Sequence, residues 1–204
     1  MGGRRAGIRG EFMTYVMVGL AAYVLGSVPF GLVVARIFGL GDIRQIGSGN
    51  IGATNVLRTG SKLAAFLTLA LDAGKGAAAV LVARQFGGEA MAGIAGAGAV
   101  LGHLYPVFLR FRGGKGVATF LGTILALALP VGLAVCATWL VTALIFRYSS
   151  LAALVASAVA PVIMFAWHHA HTAAVVLFLS ALVIYKHRPN IRRLLNGTEP
   201  KIGR

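Results

Sequence analysis

Acidic residues are scarce in this chain: 5 Asp and Glu stand against 19 Lys and Arg, which leaves a net charge of +14. Charge of any sign is also sparse, at 12% of residues, where a soluble domain carries about a quarter. Hydrophobic residues make up 58% and the mean hydropathy is +0.83. Together these shortages exclude an ordinary soluble domain and indicate an integral membrane protein. The single cysteine, Cys136, lies within an apolar run, so no intrachain disulfide can form and the redox compartment is not legible. No metal-binding cluster is visible, since His168, His169 and His171 have no acid or thiol beside them and read as a wet outer turn. No cofactor is expected. A nucleic-acid partner is disfavoured, because the basic residues are scattered between apolar runs with no soluble domain to carry a groove. Residues Met1 to Phe12 lack an apolar h-region and are no signal peptide. They are expected to be a non-structural leader, ahead of one domain spanning residues 13–204.

What remains is a series of apolar runs separated by basic, glycine-rich connections. The first run, about Met13 to Phe38, contains Gly26-Ser27-Val28-Pro29-Phe30-Gly31, where Pro29 should kink or break the helix. A second run, about Leu63 to Arg84, is interrupted by Asp72 and Lys75, an i, i+3 pair on one helix face and an economical way to keep opposite charges at membrane depth. The third, about Glu89 to Phe108, carries Gly98 and Gly102 at the spacing of close helix packing. Val117 to Phe146 is too long for one span of about 20 residues, and the basic loops on either side require an even number of crossings, so it splits near Pro130. Spans at about Leu151 to Trp167 and Thr172 to Tyr185 complete the set. The expectation is an all-α polytopic membrane protein with seven transmembrane helices and its active-site loops in the cytoplasm.

Arg110-Phe111-Arg112-Gly113-Gly114-Lys115-Gly116 holds the clearest chemistry. Glycines let several backbone N–H groups approach one anion while Lys115 supplies a charge, which suits phosphate. A connector that only orients the chain needs Lys and Arg, but gives no reason for the Ser48, Asn50, Thr54, Asn55, His187 and Asn190 that share the same face. The run Gly47 to Gly52 matches a dinucleotide fingerprint, yet no strand precedes it and apolar spans flank it, so that reading is rejected.

These residues resemble the bacterial acyl-phosphate:glycerol-3-phosphate acyltransferase family along nearly the whole chain from Met13. The resemblance rests on five motifs in order. They are Gly26 to Gly31, Gly47 to Asn55 through Arg58, Asp72 to Gly76, Gly102 to Pro106 through Gly113 to Thr119, and His187 to Ile191 through Gly197 to Glu199. It implies transfer of an acyl group from acyl phosphate to the sn-1 hydroxyl of glycerol 3-phosphate, giving lysophosphatidic acid and phosphate in the bacterial inner membrane. It also implies catalytic roles for Ser48, Arg58, Lys115, His187 and Asn190. Substrate contacts would come from Asn50, Thr54, Asn55, Lys75, His103, Gly113, Gly114, Gly116 and Ser150. The lipid bilayer and the two substrates are the expected partners, with no obligate protein partner.

The chemistry fits such a residue set. An acyl phosphate is a mixed anhydride with a good leaving group, so positioning and charge stabilisation can carry the reaction without a covalent nucleophile. His187, His103 and a substrate phosphate are all candidates to accept the hydroxyl proton. An anion transporter would also use intramembrane glycines and a broken first span, but should show internal repeats and polar residues leading to both faces.

Overall fold

The structure is a computed structural model that describes residues 2–167 and 170–203. The described residues form nine α-helices and two 3-10 turns, with no strand. In chain order the helices are α1 (Gly2–Ser27), α2 (Phe30–Ile37), α3 (Ala53–Leu57), α4 (Lys62–Leu104), α5 (Val117–Leu127), α6 (Leu129–Phe146), α7 (Ser149–Ala166), α8 (Ala170–Lys186) and α9 (Arg188–Leu195). The leader expected to be non-structural through Phe12 carries helical backbone from Gly2, because no proline interrupts it before the apolar run. His168 and His169 lie outside the described residues, and His171 is exposed.

Three breaks shape the bundle. Pro29 has no N–H to continue α1, so the chain opens at Val28 and restarts as α2. That break leaves the Val28 carbonyl outside the helical ladder at membrane depth, accepting from the Phe30 N–H at 3.1 Å and with room for a second donor. A second break falls inside α4, where Gly87 and Gly88 leave helical geometry and Gly88 takes φ 62°. Asp72 and His103 are 31 residues apart, about 46 Å along a straight helix, yet their side chains approach to 3.5 Å. The two halves of α4 therefore fold back on each other as a hairpin. The third break is at Ala128, between α5 and α6, with Pro130 in the first turn of α6.

Helix α4 is the centre, packed against both α1 and α5. Small residues bring the backbones together: a methyl group on Gly98 or Gly102 would collide with the Gly19 or Tyr23 carbonyl of α1. Phe120, Ile124, Leu104, Val131, Met164 and Leu179 fill the interior, while Ile37, Phe86, Leu144 and Phe165 point outward at 68–76% of their free exposure. Large apolar side chains on the outside are what a lipid environment selects. Four stretches, Gly10–Ile37, Lys62–Leu109, Leu129–Phe146 and Ser149–Ala166, are long and apolar enough to cross a membrane, and Val117–Leu127 and His171–Lys186 are shorter apolar helices.

The breaks and connections segregate to opposite ends. At one end Arg84 pairs with Glu89 at 2.7 Å and donates to the Ala126 and Leu127 carbonyls at 2.7 and 2.9 Å, which the α5–α6 break has freed. Residues 38–61, 105–116, 147–149 and 186–203 meet at the other end, and there the site lies.

Candidate functional site

The first wall is the loop before α3. Asp42 caps a 3-10 turn at Ile43–Gln45 by accepting from the Arg44 N–H at 3.0 Å. Beyond it the chain takes positive φ at Gly47 and Gly49, and a side chain at Gly47 would strike the Arg58 guanidinium that crosses it. Asn55, 1% exposed, holds the loop together. Its Oδ1 accepts from the Ser48 N–H at 3.1 Å and from Arg58 Nη1 at 3.5 Å, and its Nδ2 donates to the Ile43 carbonyl at 2.7 Å. Ser48 and Arg58 are thereby turned to the outside of the same small loop.

The glycine loop forms the second wall. After α4 ends, a 3-10 turn at Val107–Leu109 leads through Arg110 and Phe111, both in the left-handed region at φ 50° and 62°, into Gly113 and Gly114. Gly114 donates to the His103 carbonyl at 3.1 Å, and any side chain on it would collide with His103 Nε2. Gly116, at φ 81°, then starts α5 with no side-chain cap. The first N–H groups of α5 are left at the loop as a positive helix end, beside Lys115.

The start of α9 and the tail behind it close the site. His187 is 2% exposed, and its Nδ1 lies 2.7 Å from the Val183 carbonyl. A carbonyl can only accept, so Nδ1 carries the proton and Nε2 of the neutral ring is left as an acceptor. Burial, followed by the nearby Lys115 charge, outweighs the Val183 bond and the Glu199 carboxylate and pushes the imidazole down to about 4. Asn190 Nδ2 and Arg193 Nε donate to the two oxygens of Glu199 at 2.6 and 2.7 Å, and the buried Ser150 hydroxyl sits beside the same carboxylate. Burial raises the Glu199 carboxyl, but Ser150, Asn190 and Arg193 more than reverse it and hold it below its ordinary value.

Two cavities adjoin between these walls. One, of about 410 Å³, is lined by Ser48, Gly49, Asn50, Gly113, Gly114, Lys115, Tyr185, Lys186, Arg188 and Pro189. The other, of about 460 Å³, is lined by Gly47, Ser48, Arg58, Arg193 and Pro200. Ser48 belongs to both. Neither Arg58 nor Lys115 has a carboxylate partner among the described residues. Burial, countered by Glu199 and reinforced by Arg193 and Arg58, lowers the Lys115 ammonium to about 8. Unpaired, crowded cations of this kind suit anionic groups, because a bound anion relieves both the burial and the mutual repulsion.

Several residues expected to touch substrate are placed elsewhere. Asn55 is occupied inside its loop, and the Thr54 hydroxyl lies 3.1 Å from that of Ser149. Gly116 packs on Leu104, while His103 lies beneath the glycine loop and Lys75 is buried against Asp72. These five, with Ser150, line neither cavity. His187 and Asn190 are buried behind the lining, close enough to Lys115 for His187 to feel its charge. Sequence reasoning missed the cavity-lining Lys186, Arg188 and Arg193, and missed Glu199 as the carboxylate that gathers the tail. Scarcity was the available signal for Glu199: it is one of 5 acids in the chain. Among the described residues no His, Cys, Asp and Glu side chains gather as a metal site.

Fold and site together define a helical integral membrane protein with two adjoining cation-lined cavities at one end of its bundle. Residues 16–197 match the glycerol-3-phosphate acyltransferase family, and the chain belongs to it. It is 61% identical over 188 residues to the glycerol-3-phosphate acyltransferase of Jannaschia sp. (strain CCS1), covering 92% of this chain and 93% of that protein. Identity to the Brucella anthropi protein of the same description is 54% over 194 residues, covering 94% and 96% of the two chains. The fold is similar to crystal structures of PlsY, an integral membrane glycerol 3-phosphate acyltransferase, in its glycerol 3-phosphate form (TM-score 0.89) and its lysophosphatidic acid form (TM-score 0.87). Each comparison is at 40% identity and covers 93% of this chain and 96% of the other.

Proposed function

We propose that this glycerol-3-phosphate acyltransferase takes its acyl group from an acyl phosphate, transfers it to the sn-1 hydroxyl of glycerol 3-phosphate and releases phosphate and lysophosphatidic acid. Family membership supports the acyltransferase activity on glycerol 3-phosphate. The acyl-phosphate donor is supported chiefly by the pair of adjoining cationic cavities that share Ser48, since two phosphorylated substrates need two phosphate-holding regions within reach of one another.

In this reading the glycine loop, Lys115 and the free N–H groups of α5 hold the donor phosphate, while Arg58 and Arg193 hold that of glycerol 3-phosphate. Ser48, between them, orients both. The sn-1 oxygen attacks the acyl carbonyl carbon, a new C–O bond forms, and the anhydride C–O bond breaks with its electron pair leaving on phosphate. Cations and N–H donors offset the charge that develops. The hydroxyl proton leaves on a substrate phosphate oxygen. A phosphate group with its second pKa near 6 is a stronger base than His187 at about 4, so the proton passes to phosphate rather than to the neutral imidazole behind the lining. No side chain carries the acyl group.

We also propose seven crossings: α1 with α2, each half of α4, then α5, α6, α7 and α8. The basic connections at the site end favour the cytoplasmic side of a bacterial inner membrane. Purified protein supplied with acyl phosphate and glycerol 3-phosphate should release phosphate and lysophosphatidic acid in equal amounts. Turnover with acyl thioesters but not with acyl phosphate would overturn the donor assignment.

A further inference from the structure

One buried cluster lines neither cavity yet touches the support of both. Lys75 Nζ, on a side chain 1% exposed, lies 2.8 Å from Asp72 Oδ1 and donates at 2.8 Å to the Val28 carbonyl at the α1–α2 break, as the second donor beside the Phe30 N–H. Its ammonium also faces the Phe30 ring at 5.5 Å. His103 Nδ1 lies 3.5 Å from the same Asp72 oxygen, a close polar contact without hydrogen-bond geometry.

The two outer members of this chain of contacts each carry one wall of the site. Lys75 fixes the start of α2, and α2 presents Gly31 so closely to the Ile51 carbonyl that no side chain would fit, which seats the Ser48 loop on the helix. His103 supports Gly114 equally closely, through its carbonyl and through the edge of its ring. A pair of opposite charges is sufficient to keep Asp72 and Lys75 at membrane depth. It does not account for a third polar group on the same oxygen, nor for two walls resting on its ends without room for one methyl group.

We propose that Lys75, Asp72 and His103 form a positioning unit that sets the separation of the Ser48 loop and the glycine loop, and through it the distance between the two reacting groups. None of the three touches substrate. The unit is suited to the task because removing Asp72 or Lys75 leaves the other's buried charge unpaired, so a single arrangement is strongly favoured. Precision of this kind matters in a reaction without a covalent intermediate, where a misplacement of about 1 Å can cost about 100-fold in rate. The proposal rests on the reading of these two loops as the places where the phosphorylated substrates bind.

A double-mutant cycle on the full-length protein in lipid nanodiscs tests it. Gly114→Ala drives a methyl group into the His103 ring, and His103→Ala removes that ring. Each single variant should lower kcat/KM for acyl phosphate by about tenfold or more, and the double variant should be no worse than Gly114→Ala alone, because contacting residues are not additive. Losses that simply multiply would overturn the proposal. Lys75→Met, which keeps the aliphatic stem and removes the charge, should raise the Michaelis constants for both substrates together. A lowered thermal midpoint with both constants at wild-type values, or a change confined to one substrate, would contradict it even if the cycle proteins fold poorly. Lys115→Ala is the control: wild-type kinetics there would mean that the loop reading itself fails, whereas lost activity with an additive cycle would remove only the positioning unit.

Discussion

Lys75 and Lys115 are both drawn away from water, yet one is surrounded by partners and the other is not. Lys75 has a carboxylate, a carbonyl and an aromatic ring around its ammonium, all supplied by the protein. Lys115 has glycines, the start of a helix and other cations near it, and no carboxylate in contact. What separates a structural cation from a binding one here is therefore pairing rather than depth. The same rule distinguishes the two ends of the bundle, since Arg84 at the far end is satisfied by Glu89 and two carbonyls, while Arg58 at the site end meets only the Asn55 amide oxygen among the described residues.

The largest effect expected from this contrast is on stability. Asp72→Ala strands the Lys75 ammonium in the bundle and should cost about 3–5 kcal/mol, seen as a marked fall in thermal midpoint or in folded yield. Unchanged stability would show that Lys75 is not held by its pair. Arg58→Ala removes a cation with no carboxylate partner among the described residues, proposed to hold substrate phosphate, so the protein should stay folded while the Michaelis constant for glycerol 3-phosphate rises. The loss of one charged hydrogen bond corresponds to about 1.5–3 kcal/mol, or roughly ten- to a hundred-fold.

The pH profile sharpens the comparison further. The Lys115 value is depressed to about 8, so its charge is present below that pH and lost above it. Accordingly kcat/KM for acyl phosphate should be level near neutrality and fall by about tenfold per unit above pH 8, while bound phosphate extends kcat to higher pH. A flat kcat/KM profile through pH 9 would argue against a functional charge at Lys115. Arg44 gives the smallest effect. It is already paired with Asp42 on the exposed surface, so Arg44→Ala should leave both Michaelis constants within about twofold, as saturation kinetics would reveal.

The parts of this arrangement that obey a period or a strong local rule were legible in the sequence. Pro29 and Pro130 announced helix breaks because proline cannot continue a hydrogen-bond ladder. The i, i+3 spacing of Asp72 and Lys75 announced their pair, and Gly98 with Gly102 announced close helix packing, though not that α1 is the partner. Irregular loops have no such period. Nothing in the order of residues said that Asn55 turns inward while Asn50 lines a cavity, for the direction of each depends on how Gly47 and Gly49 bend the chain. Nor could spacing show that His103 meets Asp72, which requires the hairpin at Gly87 and Gly88, or that Glu199 gathers Asn190 and Arg193.

The central claim is that the glycine loop is an anion site and not a basic connector, and Lys115→Ala tests it most directly. Saturation curves for each substrate should show kcat/KM for acyl phosphate reduced by roughly ten- to a hundred-fold, the cost of one charged hydrogen bond to phosphate, in a protein that remains folded and membrane-inserted. The curve for glycerol 3-phosphate should move less. Wild-type curves for both substrates in Lys115→Ala would contradict the account and leave the loop as a connector between two helices.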